Sequence, residues 1–340
     1  MEVNLMSDTV TRPTDAMLDY MLQAPVGDDV FGQDPTVNGL QDKVATMFGR
    51  EAALYCPSGT MTNQIAIQIH CDRLDAVICE KGSHIYQYET GGYAYNARAA
   101  IVLLDGEFGK ISASQIKDTL RPTHDWLSKT SLVVLENTCN TGGGSYYTLD
   151  EIGSIRSVCS EHEIALHLDG ARLFNALAET GDSPSDWGLQ FDSISICLSK
   201  GLGAPVGSVL IGDQSFIQEA RRLRKVMGGG MRQAGIIAAA GIYALDHHRD
   251  RLREDHNHAR KLGEALAAQR YISGVNPVMT NIVIFQLQSP LTSTQFVQAL
   301  ENKGIYSVVI DDQTVRFVTH LDISPGMIDY TIQVINEFST

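Results

Sequence analysis

The chain alternates between short apolar runs and longer segments that have the apolar spacing of helices. The runs are rich in β-branched residues and lie at 76–79, 100–104, 132–135, 164–168, 194–197 and 209–211. Because nearly every position in them is apolar, they predict strands buried on both faces, which is typical of a mostly parallel sheet covered by helices. In such α/β folds the active residues lie just after the carboxyl ends of the strands.

The pattern changes after residue 230. Residues 231–268 are helical in pattern throughout, first alanine-rich and then strongly charged, which predicts a buried helix that leads to an exposed connector. Strand patterns at 282–285, 305–310 and 315–318 then alternate with helices at 292–303 and from 324. We therefore expect an N-terminal arm and large domain over residues 1–248 and a small C-terminal α+β domain over 249–340.

Composition and charge narrow the possible partners. The 340 residues are 44% hydrophobic and carry a net charge of −14, which argues against nucleic acid or an anionic membrane and favours a small-molecule partner. The first residues do not resemble a signal peptide, and no run of ~18 apolar residues occurs, so we expect a soluble cytoplasmic protein. The six cysteines lack paired spacing and are interpreted as buried apolar residues in a reducing compartment.

The first candidate for chemistry is Lys200, which follows the apolar run at 194–197 and lies between a serine and a glycine. A lysine held in the protein interior loses its proton more easily than one in water, and the neutral amine can form a Schiff base with an aldehyde cofactor. Taken alone, the motif favours a solvated loop lysine.

Two further motifs favour the cofactor interpretation. Asp169 ends the run at 164–168 and could keep a pyridinium nitrogen protonated, although a helix N-cap aspartate is an alternative. Ser58, Gly59 and Thr60 precede a helical segment whose N-terminus could bind a phosphate, although the motif in isolation favours a plain turn. A phosphate cradle, a ring acid and a lysine in this order indicate a site for pyridoxal 5′-phosphate (PLP).

The chain resembles the threonine aldolases, PLP-dependent enzymes of fold type I, the aspartate-aminotransferase type. The resemblance runs from Ser7 to Arg316 and is carried by the motifs at 28–36 (DDVFGQDPT), 58–60 (SGT), 136–138 (ENT), 169–172 (DGAR), 199–202 (SKGL) and 228–233 (GGGMRQ). It implies a large domain with a mostly parallel seven-stranded sheet and a small C-terminal α+β domain. It also implies a homo-oligomer, typically a tetramer built from dimers.

The resemblance assigns roles to cofactor-binding residues. Lys200 would bind PLP covalently and Asp169 would pair with the ring nitrogen, while Ser58, Gly59 and Thr60 would bind the phosphate. His84 would stack on the ring and could also act as the base for the substrate hydroxyl, through water near Glu89. Lys225 and Arg232 would reach the phosphate of a neighbouring subunit.

The resemblance also assigns a substrate site. Ser7, Arg172 and Arg316 would surround the substrate carboxylate, with Arg172 close to the cofactor as well. For Arg316 the sequence itself shows only a charged residue in an apolar strand, which a surface-facing position explains equally well. Trp126 stands where the family has a second active-site histidine, with His124 close by, and would contact the β-substituent.

The activity implied is cleavage of L-threonine, L-allo-threonine or a related L-β-hydroxy-α-amino acid to glycine and an aldehyde. Cys139 and Phe31 depart from the family pattern, which commonly has histidine and tyrosine there, so the preferred substrate stays open. The alternatives are another fold type I reaction (β-elimination, transamination or racemisation) and, from a different class, a non-catalytic PLP-binding protein.

Two other sites are weighed and rejected. The glycine-rich segment 201–207 has the wrong spacing for a dinucleotide fingerprint, is interrupted by Pro205, and precedes a strand instead of a helix. The histidines at 247, 248, 256 and 258 lie in a strongly charged helical segment, which favours a solvated surface over a metal site. No metal ligands are therefore assigned.

Overall fold

The computed structural model describes residues 1–122 and 124–338, so the last two residues of the expected C-terminal domain lie outside it. The strands, in chain order, are β1 (Val3–Asn4), β2 (Ala52–Cys56), β3 (Ala76–Glu80), β4 (Ala100–Leu104), β5 (Thr130–Glu136), β6 (Ala165–Gly170), β7 (Ser193–Cys197), β8 (Ser208–Gly212), β9 (Ile272–Val275), β10 (Ile282–Leu287), β11 (Ile305–Tyr306), β12 (Val308–Val309) and β13 (Thr314–Val318).

Helices separate most of these strands. They are α1 (Asp15–Leu22), α2 (Pro35–Met47), α3 (Gly59–His70), α4 (His84–Gln87), α5 (Gly92–Tyr95), α6 (Ala113–Thr119), α7 (Leu149–Glu161), α8 (Leu173–Thr180), α9 (Pro184–Gly188), α10 (Gln214–Val226), α11 (Gly235–His247), α12 (Leu252–Ala267), α13 (Ser293–Glu301) and α14 (Pro325–Glu337). Among the helices described, none combines the length and the apolarity needed to cross a bilayer.

The large domain is built on a seven-stranded sheet with the strand order β2-β8-β7-β6-β5-β3-β4. Only β8 runs antiparallel to its neighbours, so the expectation of a mostly parallel seven-stranded sheet is confirmed. Strands β3, β7 and β8 are buried at every position, which explains why small and apolar residues dominate their sequences. Strand β4 is partly exposed because it forms an edge of the sheet.

The small domain has a second sheet and a second hydrophobic core. Its sheet is antiparallel with the order β12-β13-β10-β9, and its core contains Phe285, Phe296 and Phe317. The predicted strand at 305–310 is in fact two short strands, because β11 pairs with β1 while β12 pairs with β13. Val3 and Leu5 also pack in this core, so the N-terminal arm lies against the small domain. The boundary at 248/249 stays a prediction.

The interpretation of residues 231–268 was partly wrong. The segment forms two helices, α11 and α12, and α12 is not an exposed connector, because it buries Ala259, Leu262 and Leu266 against the small-domain core. The leucine face of α12 also carries two of the four histidines. His256 and His258 are accordingly buried and not solvated. His248, at the end of α11, is buried as well, whereas His247 is exposed. The many charged residues on the outer face of α12 had obscured the helical spacing of its apolar residues.

Candidate active site

The carboxyl ends of strands β5, β6 and β7 place three polar residues side by side. Glu136 is the register partner of Asp169, and Asp169 is the partner of Ser195. Lys200 follows β7 by a short bend and is half-buried, and its ammonium is close enough to act electrostatically on Asp8 and His84. Lys200 and Asp169, which the sequence identified separately, therefore meet at one edge of the sheet.

Asp169 is buried and held by directed hydrogen bonds. Its Oδ2 accepts a hydrogen bond of 2.8 Å from Asn63 Nδ2, and its Oδ1 accepts one of 3.2 Å from the amide of Ala171. The residue lies within β6, and Arg172 occupies the N-cap position of α8, so Asp169 is not the N-cap of that helix. A buried carboxylate fixed in this way suits a cationic partner.

His84 begins α4 and pairs with the buried Glu89. Its Nδ1 lies 2.9 Å from Glu89 Oε1, and Glu89 is itself held by Asn63 Nδ2 at 2.9 Å and Gln64 Nε2 at 2.6 Å. Burial opposes the charged imidazole, but the hydrogen bond with Glu89 and the charges of Asp169 and Glu89 outweigh it, so the pKa of His84 is raised.

Ligand atoms of His84, Glu89 and Asp169 lie within 4.8 Å of one another. One imidazole and two carboxylates at this spacing can hold a metal ion in other proteins. The same arrangement suits an aromatic ring that carries a protonated nitrogen, with the imidazole of His84 and the carboxylate of Asp169 beside it. All three residues were candidates from the sequence, but no motif indicated that they form one group.

Glu136 is a buried carboxyl whose only signal in the sequence is its place in the ENT motif at 136–138. It accepts hydrogen bonds from the backbone amide of His84 at 2.7 Å and from that of Asn140 at 2.8 Å. Burial and the neighbouring charge of Asp169 raise its pKa. Glu136 thus connects the loop that carries His84 to the loop that carries Asn140.

The first turn of α3 is open to an anion. Ser58 is the N-cap, and its Oγ accepts a hydrogen bond of 3.2 Å from the amide of Met61. The amides of Gly59 and Thr60 lie in the first turn, where no carbonyl of the helix can accept their hydrogen bonds. A Cβ at Gly59 would lie 2.7 Å from Cys197 Sγ, so this turn packs too closely on β7 for a side chain. The predicted phosphate cradle is therefore a helix N-terminus, not a plain turn.

Arg172 has a partner that the sequence did not reveal. Its Nε and Nη2 donate to the two carboxylate oxygens of Asp8, each at 2.7 Å, and both residues are buried. Burial opposes the charge of Arg172, but Asp8 outweighs it and raises the pKa of the guanidinium. The expected contact of Arg172 with a substrate carboxylate stays a prediction.

Arg316 is half-buried on β13, and its guanidinium faces the N-terminal arm and the loop after β5. Its Nη1 donates to Asn140 Oδ1 at 3.0 Å, and its Nη2 donates to the carbonyl of Met6 at 3.2 Å. Its Nε is buried and has no acceptor among the described residues. Burial and the charge of Arg172 lower its pKa, so the two guanidinium groups lie near each other. Ser7 adjoins Met6, which brings it to the same region.

The remaining candidates, Trp126, Lys225 and Arg232, are exposed and have other neighbours. Arg232 Nη1 lies 2.7 Å from Asp28 Oδ2, and Lys225 lies near the end of α10. Trp126 is 74% exposed and stacks on His124 at 4.5 Å between ring centroids. The proposed roles of these three residues, two of them in a neighbouring subunit, stay predictions.

The fold and the arrangement of Lys200, Asp169 and the N-terminus of α3 define the class of fold type I PLP enzymes. Residues 4–290 match the family model described as β-eliminating lyase. The chain is 40% identical to a low-specificity L-threonine aldolase 1 of Arabidopsis thaliana, over 97% of this chain and 94% of that protein. It is also 40% identical to the low-specificity L-threonine aldolase of Escherichia coli K12, over 95% of each chain. The chain therefore belongs to the threonine aldolase family.

Solved structures agree on the fold. The threonine aldolase of Leishmania major superposes with a TM-score of 0.85 at 22% identity and covers 98% of each chain. A serine palmitoyltransferase that contains PLP superposes with a TM-score of 0.76 at 17% identity, over 98% of this chain and 86% of the other. The expected fold type I architecture is confirmed.

Proposed function

We propose that the protein is a PLP-dependent aldolase that cleaves L-threonine, L-allo-threonine or a related L-β-hydroxy-α-amino acid to glycine and an aldehyde. The observation that carries the proposal is the buried Asp169 beside the His84–Glu89 pair, with Lys200 in the bend that follows the next strand of the sheet. Similarity to low-specificity L-threonine aldolases over nearly the whole chain supports the same reaction.

The residues fit PLP. Lys200 would bind the cofactor covalently, Asp169 would face its ring nitrogen, and Ser58, Gly59 and Thr60 would hold its phosphate. The close approach of Gly59 to Cys197 and the open first turn of α3 support the phosphate position. When bound, PLP supplies the electron sink for the substrate bond that breaks at Cα.

His84 and Glu89 would handle the proton of the β-hydroxyl. Glu89 holds Nδ1 of His84, which leaves Nε2 to face a substrate hydroxyl or a bridging water. The carboxylate of Glu89 stabilises the imidazolium that forms when His84 takes up the proton. Removal of that proton releases the β-carbon as an aldehyde carbonyl.

Arg316 and Ser7 would bind the substrate carboxylate, with the charge of Arg172 close by. The buried Nε of Arg316, which has no acceptor among residues 1–122 and 124–338, supports this position. A carboxylate held by a planar guanidinium has one orientation, and that orientation decides which bond at Cα stands perpendicular to the ring.

We also propose a homotetramer of two dimers that share sites, in which Lys225 and Arg232 reach the neighbour's phosphate. The exposed Phe31 and Val226 support it, because large apolar side chains beside these cations suit a subunit interface. Trp126 would contact the β-substituent of the substrate. The buried, unpaired cysteines support a cytoplasmic location.

β-Elimination is the second candidate, because the matching family model carries that description. Product analysis separates the two reactions: the PLP-loaded protein is incubated with L-threonine and L-allo-threonine. The aldolase produces acetaldehyde and glycine in equal amounts, whereas elimination releases ammonia and an oxo acid. The Lys200→Ala variant is the control, and its retention of full activity would contradict the proposal.

A further inference from the structure

A chain of hydrogen bonds runs from Asp169 into the interior, away from the substrate side. Asn63 Nδ2 donates to Asp169 Oδ2 at 2.8 Å, and Asn63 Oδ1 lies 3.2 Å from His167 Nε2. His167 Nδ1 lies 2.8 Å from Ser193 Oγ, which is also 2.8 Å from His70 Nε2. The proposed mechanism uses Asp169 but none of the other four residues.

The carboxylates of Asp169 and Glu89 determine which atoms donate and which accept along this series of hydrogen bonds. Both N–H bonds of the Asn63 amide are used, one by Asp169 and the other by Glu89 at 2.9 Å. The amide oxygen of Asn63 must therefore face His167, and an oxygen can only accept. His167 consequently carries its proton on Nε2.

The remaining links follow from the tautomer of His167. A neutral imidazole that is protonated on Nε2 has an acceptor at Nδ1, so the hydroxyl of Ser193 donates to it. His167 is fully buried, and burial lowers its pKa to about 3, while burial lowers the pKa of His70 to about 4. Both imidazoles are therefore neutral near pH 7, and every donor in the chain points towards Asp169.

We propose that His167 is a positioning residue of the active site, which acts through Asn63 to keep the Asp169 carboxylate aimed at the cofactor ring nitrogen. The tautomer of His167 and the orientation of the Asn63 amide are coupled: while Nε2 carries the proton, the amide cannot turn over and present its oxygen to the two carboxylates. An inverted amide would place an acceptor against Asp169 and Glu89. This inference rests on the proposed function, because it assigns the ring nitrogen as the partner of Asp169.

The test must separate this role from mere satisfaction of a buried polar group. His167→Gln places an amide near the Nε2 position and keeps a donor towards Asn63, whereas His167→Asn reaches only the Nδ1 position. Ser193→Ala is a milder change that removes the hydroxyl bonded to Nδ1 of His167, the donor that the Nε2-protonated tautomer uses. His320→Gln serves as the matched control. It removes a buried imidazole of the small domain, which contacts the carbonyl of Asn4 in the N-terminal arm.

The first measurement is the dissociation constant of PLP for each apo protein, with far-ultraviolet circular dichroism to check folding. We expect PLP binding to weaken by about tenfold for His167→Asn and by about threefold or more for Ser193→Ala. His167→Gln and His320→Gln should stay within about twofold of wild type. Equal affinities for all four variants would overturn the inference, and if the His167 variants fail to fold, Ser193→Ala decides.

The second measurement is independent of the cofactor. The nitrogen chemical shifts of His167 in the apo protein report which ring nitrogen carries the proton, and we expect Nε2. A proton on Nδ1 would overturn the inference even if the protein binds PLP. Conversely, a wild-type protein that shows the Nε2 proton but binds no PLP would contradict the proposed function and leave the hydrogen-bond chain intact.

Discussion

Asp8 and Arg172 form a bidentate ion pair in the interior, with both nitrogen–oxygen distances at 2.7 Å. Asp8 comes from the N-terminal arm and Arg172 from the loop after β6, so the pair fixes the arm to the active-site edge of the sheet. Because Arg172 lies near Arg316, Asp8 also balances the two positive charges there.

Asp8→Asn should therefore destabilise the protein strongly. The variant leaves the guanidinium of Arg172 buried without a countercharge, and we expect a loss of about 3–5 kcal/mol in the free energy of unfolding. Urea denaturation at a fixed protein concentration measures it. Glu219→Gln, which breaks the exposed pair with Arg222, is the control and should have a far smaller effect.

The same pair predicts sensitivity to acid. Burial alone would raise the pKa of Asp8, but the ion pair with Arg172 outweighs it, so the pKa lies below its ordinary value of 3.8. The stabilisation is present above pH 3.8 and is lost as the pH falls through the lower, folded-state pKa. Wild type and Asp8→Asn should thus converge in stability below that pH, and a constant difference down to full acid unfolding would contradict the assignment.

Glu89→Gln should lower the pKa of His84. The hydrogen bond and charge of Glu89 raise that pKa against the effect of burial, and a neutral amide provides only part of the first effect. We expect kcat to fall by about a hundredfold with little change in KM, and the alkaline shift of the imidazole titration to disappear. Nuclear magnetic resonance of the His84 ring measures the titration directly. An unchanged titration would show that Glu89 does not control this histidine.

Gly59→Ala should weaken PLP binding by tenfold or more. The added methyl group would lie 2.7 Å from Cys197 Sγ, so the N-terminus of α3 must move away from the sheet and from the phosphate. Gly39→Ala is the control, because Gly39 is exposed in α2 and its added methyl group meets nothing within 4 Å. That variant should bind PLP normally and gain about 0.5–1 kcal/mol in stability.

Arg316→Lys should raise the KM for L-threonine by at least about tenfold while kcat changes much less. Lysine keeps the charge but loses the planar fork and the buried Nε that would hold the substrate carboxylate. Steady-state kinetics provide the comparison. The control is Arg260→Lys on α12, where Arg260 pairs with Glu179 of α8, and this variant should behave as wild type. An equal change of KM in the two variants would contradict the role of Arg316.

The sequence predicted the sheet because burial on both faces leaves a direct trace in the order of residues. Apolar residues dominate β3 and the centre of β8, and the polar residues at or just after strand ends, Asp169 and Lys200, stand out against such runs. Motif resemblance supplied the rest of the candidate site, including Arg316, for which the strand pattern itself could not distinguish an inward from an outward direction.

The partners of these residues could not be predicted, because tertiary contacts alone bring them together. Asp8 lies 164 positions from Arg172, and Asn63 lies 106 positions from Asp169. Neither polar residue has a local signal that marks it as buried. His256 was misjudged for a related reason: its charged neighbours on the outer face of α12 concealed its position on the leucine face.

The central claim is that Lys200 and Asp169 form a PLP site that activates glycine, the product of the aldol cleavage. The most direct measurement is the visible absorption spectrum of the PLP-loaded, desalted protein before and after addition of glycine, with Lys200→Ala alongside. We predict that the wild-type protein retains an absorption band, that glycine produces a new band at longer wavelength, and that Lys200→Ala loses the retained band. A desalted wild-type protein without cofactor absorption, or with a spectrum that glycine leaves unchanged, would contradict the claim.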